Sequence, residues 1–342
     1  MAEQTIRFAA IGCGRLGALH AENLALAIPE ATLAMVIDSD PAVARSVGER
    51  LGVRWAREPA AAIGDPDIDA VAISTASDSH AHLIVAAAAA GKAIFCEKPI
   101  ALNLDDADRA IAAVKRAGVP LQIGFMRRYD PAYIEAKHLI MSGQIGAALT
   151  FRAASLDGSI SPSRDFLERC GGIMLDVALH DFDLARWLMD DEVVEVYATG
   201  VVLVHEVLRD IGDVDNAAIT LRFSKGGIGI VQVSHTAVYG YDIATEVLGT
   251  AGAVRAGELR RTDLWHFSGD GRVRHDTMPS FLERFAIAYR QELAAFATAV
   301  RDGYSPQPSG HDGRAALAVA LAARRSLGAG HPIRVEETGS QA

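Results

Sequence analysis

The apolar run Ala93-Ile94-Phe95-Cys96 ends on an acid, a base and a ring: Glu97, Lys98 and Pro99. In a doubly wound sheet the carboxyl end of such a strand borders the ligand crevice, so Lys98 would point at a binding site rather than at random solvent. Pro99 fixes its own φ and biases Lys98 away from α geometry, which stiffens the presentation. The competing reading is a surface ion pair at a strand end. A second constellation lies in CGGIMLDVALHDFDLARW, Cys170 to Trp187. Its spacing predicts a helix over Ile173–Leu188, with Asp176 and His180 four apart on one face. A carboxylate there can fix the tautomer and orientation of an imidazole that moves protons. Gly171 and Gly172 before it allow close backbone approach, and Ile173, Val177, Leu184 and Leu188 form a buried stripe. A helix-surface Asp–His pair is the bland alternative. A metal set of Asp176, His180 and Asp183 finds no further ligand at convincing spacing and no cysteine pair.

A glycine loop supplies the third piece. FAAIGCGRLG puts Gly12, Gly14 and Gly17 after a strand and at the start of a helix. The first glycine serves the tight turn, the second lets backbone approach a pyrophosphate, and the third lets helix pack on strand. Asp38 ends the next strand, 21 residues after Gly17, where a carboxylate can take both ribose hydroxyls. It would repel a 2′-phosphate, and its neighbour is Ser39 rather than arginine, so NAD is favoured over NADP.

These residues need a frame to hold them. Short apolar runs at Arg7–Ile11, Leu33–Ile37, Ala70–Ser74, Ala93–Cys96 and Leu121–Ile123 alternate with helical runs at Gly17–Ala27, Pro41–Leu51, His80–Ala90 and Leu104–Ala117. That alternation predicts an α/β fold that begins with a doubly wound, Rossmann-type parallel sheet. In such sheets ligands bind beyond the carboxyl ends of the strands, where Lys98 stands. After residue 124 the texture changes. Helices over Pro131–Ser142 and Ile173–Leu188 precede strand-like runs at Val193–Leu203, Ala217–Phe223, Ile228–His235 and Thr245–Gly249. Short turns between these predict an open, mostly antiparallel sheet. Helices over Phe281–Arg301 and Asp312–Leu327 close the chain. The division expected is a dinucleotide-binding domain over 1–124 and a substrate-binding and oligomerisation domain over 125–342. The helix over 312–327 is expected to be able to pack back on the first domain. Alternation in AAITLRF and GIGIVQVS places apolar side chains on both faces of the second sheet, so the outer face is expected to need cover.

Composition narrows the partners. The 342 residues carry a formal net charge of −10 and no long basic run, which excludes nucleic acid and anionic membrane as first choices. Three cysteines, none in a CxxC pair, fit a reducing cytoplasm. The N-terminal stretch runs into glycines and reads as neither signal peptide nor membrane span.

Taken together the motifs resemble the Gfo/Idh/MocA oxidoreductase family. AIGCGRLG, CEKP, GFMRRYDPAY, the Asp176–His180 segment, AVYGYDIATEVLG and FLERFAIAYRQELAAF carry the resemblance from residue 8 to about 300. FMRRYDPAY and YGYD point to the branch that oxidises inositols. The resemblance implies that Lys98 hydrogen-bonds the reacting hydroxyl, that His180 accepts its proton, and that Asp176 orients His180 and holds a neighbouring hydroxyl. It implies cofactor contacts from Gly12, Gly14, Arg15, Leu16, Asp38, Ser74, Thr75, His80, Glu97 and Lys98. Arg127, Asp157 and Tyr239 or Tyr241 would join Lys98, Asp176 and His180 on the polyol side. The activity implied is NAD-dependent oxidation of a cyclitol ring hydroxyl, first of all myo-inositol, with scyllo-inositol or a pyranose sugar such as glucose as alternatives. A non-catalytic NAD-binding sensor and a zinc polyol dehydrogenase are readings of other classes. The assembly implied is a homotetramer built through the second sheet, without metal. Two positions depart from the family pattern: Leu156 stands where an arginine is common before Asp157, and His235 stands where Asn-Ser-Arg is common before YGYD.

Overall fold

In a computed structural model, residues 5–158, 164, 169–257 and 259–336 are described. The chain forms two compact units: residues 1–129 with 287–317, and residues 130–286 with 318–342.

The first unit is built on six strands: β1 (Ile6–Ile11), β2 (Ala31–Ile37), β3 (Arg54–Ala56), β4 (Ala70–Ile73), β5 (Ala93–Glu97) and β6 (Leu121–Gly124). Their order is β3-β2-β1-β4-β5-β6, and every neighbouring pair is parallel. The order reverses between β1 and β4, so the doubly wound expectation is met. Local chemistry sets the helix ends. Asp40 accepts a hydrogen bond from the Ala42 amide and Pro41 follows it, opening the helix Pro41–Leu51; Gly52 closes it at φ +69°. β3 escaped the sequence reading because Arg-Trp-Ala offers no apolar run.

The helix Ala286–Asp302 begins just before Ile287, where the chain returns to the first unit. Leu293, Phe296 and Ala297 lie in the same buried cluster as Phe8, Ala72 and Phe95. The Phe296 ring centroid is 6.0 Å from those of both Phe8 and Phe95. Residues 287–317 therefore belong to the first compact unit, although they lie far beyond the boundary at residue 124 drawn from the sequence.

The second unit carries a seven-stranded sheet. Its strands are β7 (Ala148–Leu156), β8 (Val193–Val201), β9 (Asn216–Phe223), β10 (Ile228–Ser234), β11 (Asp242–Gly249) and β12 (Ala253–Ala256). A small separate hairpin, β13 (His266–Phe267) with β14 (Val273–Arg274), comes before the last strand of the sheet, β15 (Ile333–Arg334). The order is β12-β11-β7-β10-β9-β8-β15. Only β7 and β10 pair in parallel; the other pairs are antiparallel. Phe151, Val196, Ile219, Leu221, Val231 and Val247 are buried on one face, and the helix Leu179–Met189 packs against β7.

On the other face the expectation needs correcting for one strand. The outward residues of β9 are Ala218, Thr220 and Arg222, so AAITLRF turns no apolar side chain larger than alanine to that face. The exposed apolar groups come from other strands: Tyr197 and Val201 on β8, Ile228 and Ile230 on β10, and, beyond β7, Leu248 on β11. A second correction concerns the helix predicted over Ile173–Leu188, which is two helices, Ile173–Asp176 and Leu179–Met189. At the junction the Ala178 amide reaches back five residues to the Ile173 carbonyl, while the Asp181 amide reaches back only three to Ala178. The ladder widens and then tightens, which breaks the rod between Asp176 and His180.

Candidate active site

The glycine loop has the geometry its sequence requires. Gly12 sits at φ +92°, and a Cβ there would lie 2.6 Å from the Ser74 carbonyl oxygen. A Cβ on Gly17 would lie 2.0 Å from the Gly12 carbonyl oxygen, so the helix Arg15–Leu26 can pack on the loop only without a side chain at that position. Gly14 is different: nothing lies within 4 Å of its would-be Cβ. It is exposed and caps the helix without a side-chain hydrogen bond, beside exposed Arg15 and half-buried Leu16. The first-turn amides of that helix lack intrahelical partners and suit an anionic group brought against bare backbone.

Asp38, at the end of β2, accepts from the Cys13 amide through Oδ2 at 2.8 Å and from the Asp40 amide through Oδ1 at 2.9 Å. Each oxygen keeps a further lone pair for a ribose hydroxyl. These residues therefore fit a dinucleotide. The Cys13 thiol beside them is pushed up to about 12 by burial and by Asp38, which makes it a poor nucleophile. Two variants check the loop. Gly17→Ala should abolish NAD binding and lower Tm, read by titration and calorimetry, because its Cβ collides with backbone. Asp38→Ala should weaken NAD and narrow the gap to NADP in kcat/KM, since it removes ribose contacts together with repulsion of a 2′-phosphate.

At the end of β5, Glu97 turns inward. It is 5% exposed, and its Oε1 lies 2.7 Å from Nε2 of His20. Lys98 is half-buried, and the Lys98–Pro99 peptide is cis. His80, read from the sequence as a cofactor contact, is a tie between two backbone segments. Its Nδ1 lies 2.8 Å from the Pro99 carbonyl and its Nε2 3.0 Å from the Thr75 carbonyl. It thus joins the end of β4 to the Lys98 turn. Burial lowers its pKa, against the two carbonyls and Glu97, which favour the charged ring. Ser74 and Thr75 flank this tie; the Thr75 hydroxyl is bonded to Ser79, and the Ser74 Oγ is buried without a protein partner. Arg127 follows β6 in the turn Met126–Tyr129 and is 2% exposed.

The second unit brings a different set together. Asp176 is half-buried at the end of its short helix and His180 is buried in the next. Asp213 caps the first of these: its Oδ2 accepts from the Ile173 amide at 3.0 Å, and a Cβ on Gly172 would come within 2.9 Å of that carboxylate. Burial raises the Asp213 pKa, with the Val214 and Ile173 amides opposing it. His235, noted as a departure from the family pattern, is buried within electrostatic reach of Asp176, Asp213, His205 and Asp215; burial lowers its pKa while the nearby carboxylates favour its charged form. Sequence reasoning did not find Asp213 or Asp215, since the loop that carries them shows no periodicity.

Asp215 is fully buried and accepts from the Leu203, Val204 and His205 amides and from Asn216 Nδ2. Burial pushes its pKa up, but these bonds outweigh burial and hold it at about 2. A depressed carboxylate contributes stability above its unfolded value near 3.9 that is lost as pH falls through the folded value. Asp215→Asn should therefore flatten the fall of Tm between about pH 4 and pH 2, measured against wild type.

Asp157 lies just past β7; its amide donates to Ser234 and its carbonyl accepts from the Ala237 amide. Tyr239 is exposed, with its hydroxyl 3.2 Å from Asp242 Oδ2. Tyr241 is buried edge-on against Phe281 and Phe285. Of the two tyrosines, Tyr239 is the accessible one. Leu156 is half-buried and pairs with Ser234 and Asp242.

The folds of both units agree with what comparison finds. The chain belongs to the Gfo/Idh/MocA oxidoreductases. Residues 6–125 match the family described as "Oxidoreductase family, NAD-binding Rossmann fold", and residues 133–255 match the GFO/IDH/MocA C-terminal domain. Myo-inositol 2-dehydrogenase of Thermotoga maritima is 41% identical over 97% of this chain and 99% of its own. The scyllo-inositol 2-dehydrogenase (NAD(+)) of Bacillus subtilis is 39% identical over 98% of this chain and 97% of its own. The crystal structure of a putative myo-inositol dehydrogenase from Sinorhizobium meliloti superposes with a TM-score of 0.93 at 38% identity, covering 97% of this chain and 100% of that one.

Proposed function

We propose that the protein is an NAD-dependent dehydrogenase that oxidises a ring hydroxyl of a cyclitol, with myo-inositol to 2-keto-myo-inositol as the first choice and scyllo-inositol next. The observation that carries this reading is the stiffened Lys98 turn at the carboxyl end of β5, in the same sheet as a glycine loop and Asp38 shaped for a dinucleotide. NAD, when bound, supplies the hydride acceptor. Lys98 donates a hydrogen bond to the reacting hydroxyl and stabilises the negative charge that develops there. His180 accepts the hydroxyl proton, and Asp176 holds the imidazole and a neighbouring hydroxyl. Asp157, Arg127 and Tyr239 serve the remaining hydroxyls, because each buried polar group must find a partner.

The test is NADH formation by the purified protein across cyclitols and aldoses. Turnover on an inositol exceeding that on every aldose supports the reading. Absence of turnover on all cyclitols, or higher kcat/KM with NADP, defeats it.

The assembly belongs to the same reading. Tyr197, Val201, Ile228, Ile230 and Leu248 share the outward face of the second sheet, and a homotetramer covers them. Ile230→Glu should shift the sedimentation coefficient to a smaller species at micromolar concentration; a wild-type monomer would remove the assembly. The buried Cys13, Cys96 and Cys170, none in a disulfide, suit a reducing cytoplasm. Among the described residues no helix is long and apolar enough to cross a membrane.

A further inference from the structure

Behind the Lys98 turn lies a cluster that the proposed chemistry does not use. Glu292, on the helix Ala286–Asp302, is fully buried, and both of its carboxylate oxygens lack a hydrogen-bond partner. A ligand-capable atom from each of Glu292, Glu97 and His20 lies within 4.8 Å of the others. Glu97 is held against His20 at 2.7 Å, and His20 is itself packed edge-on by the rings of Phe95 and Tyr289. Gly124 makes room for the Glu97 carboxylate, since a Cβ there would stand 3.0 Å from its carbon and both oxygens. Tyr129, from the turn after β6, also senses this cluster: its phenol is pushed up by burial and by Glu292. Two ionised carboxylates this close and this dry would repel each other strongly, with one imidazole to share between them.

We propose that His20 and Glu292 are positioning residues for Lys98, acting through Glu97, with a proton kept on the Glu292 carboxyl so that Glu97 alone is charged. The His20–Glu97 bond then fixes the residue immediately before Lys98, and the neutral Glu292 fills the space behind it without pushing Glu97 outward. Burial first, and then Glu97, raise the Glu292 pKa well above its ordinary value, in agreement with this arrangement. A divalent cation held by the three residues is the competing occupant. The 2.7 Å His20–Glu97 contact favours a proton, because it directs both groups at each other rather than at a common centre. The link to Lys98 chemistry rests on the dehydrogenase reading; the proton and the fixing of the turn do not.

Infrared difference spectra of wild type and Glu292→Gln at neutral pH should show a protonated carboxylic acid carbonyl band in wild type that the variant lacks. A raised carboxyl pKa means that the fold binds this proton more tightly than the unfolded chain does. Glu292 therefore contributes less stability as pH rises above about 4.3, a loss that wild type carries and Glu292→Gln does not. The Tm difference should open in favour of the variant with rising pH. Amides of Phe95–Ile100 should exchange faster in Glu292→Ala, and in His20→Asn should the first not fold, while Glu292→Gln restores protection. Where turnover is measurable, Glu292→Ala should lower kcat by about 10–10²-fold with NAD affinity unchanged, and Glu292→Gln should recover it. No acid band, a stoichiometric divalent metal in wild type that is absent from Glu292→Gln, or unchanged exchange in the alanine and asparagine variants would each overturn the proposal. Failure of every cyclitol to react would leave the spectra, Tm profile and exchange data to decide it, so the two readings fail separately.

Discussion

Lys98→Ala is expected to lower kcat on the preferred polyol by about 10²–10³-fold while NAD affinity survives. In the proposed role the lysine would act on charge that appears at the substrate oxygen as the reaction proceeds, so its loss would fall on the transition state rather than on ground-state binding. Dissociation constants for NAD from fluorescence titration and kcat from initial rates separate the two. The backbone that presents the lysine is held independently of its side chain, by the His80 contact to the Pro99 carbonyl and by the His20–Glu97 contact. Truncation of Lys98 should therefore leave Tm near wild type, and near wild-type turnover would remove the assigned role. The same variant distinguishes enzyme from sensor, because a sensor has no turnover to lose.

His180→Ala should reduce kcat by about 10²–10⁴-fold, the span commonly lost with a positioned base. The broken helix adds a condition. Asp176 and His180 sit on separate short helices, and Asp213 caps the first of them. Asp213→Ala should then lower kcat through misplacement of Asp176, by less than His180→Ala does, and Asp213→Asn should recover part of it by preserving the cap. If both serve one proton and one developing charge, as proposed, Lys98→Ala combined with His180→Ala should lose far less than the product of the single losses. A fully multiplicative double variant would show that the two residues act in separate steps.

The first unit was legible in the sequence because its signals are local. Each buried parallel strand is a short apolar run, each helix is punctuated by a cap or a glycine, and Gly12, Gly17 and Asp38 have positions that backbone geometry dictates. What sequence reading lost were features that depend on distant partners. β7 alternates outward Thr150, Arg152 and Ala154 with buried Phe151, Ala153 and Ser155, and its place in the sheet is set by β10 and β11, which flank it from distant parts of the chain. The break at Val177–Ala178 has no proline and no glycine to announce it. Tyr241 looked like a polyol contact from its motif, yet Phe281 and Phe285, forty residues later in the chain, enclose it. Glu97 and Glu292 are nearly two hundred residues apart, and only folding reveals that one stands behind the other.

The first unit is also discontinuous in the chain, and this bears on its synthesis. Phe8 and Phe95 emerge from the ribosome early, but Leu293, Phe296 and Ala297, which complete their cluster, follow roughly two hundred residues later. A nascent chain that ends at residue 129 has all six strands of the first sheet and an uncovered apolar flank. Co-translational folding of this unit therefore cannot finish domain by domain from the N-terminus, and its last step waits for the helix Ala286–Asp302. Until that helix is made, the apolar flank formed by Phe8, Ala72 and Phe95 stays without its cover, the kind of exposed surface that makes incomplete chains prone to aggregation.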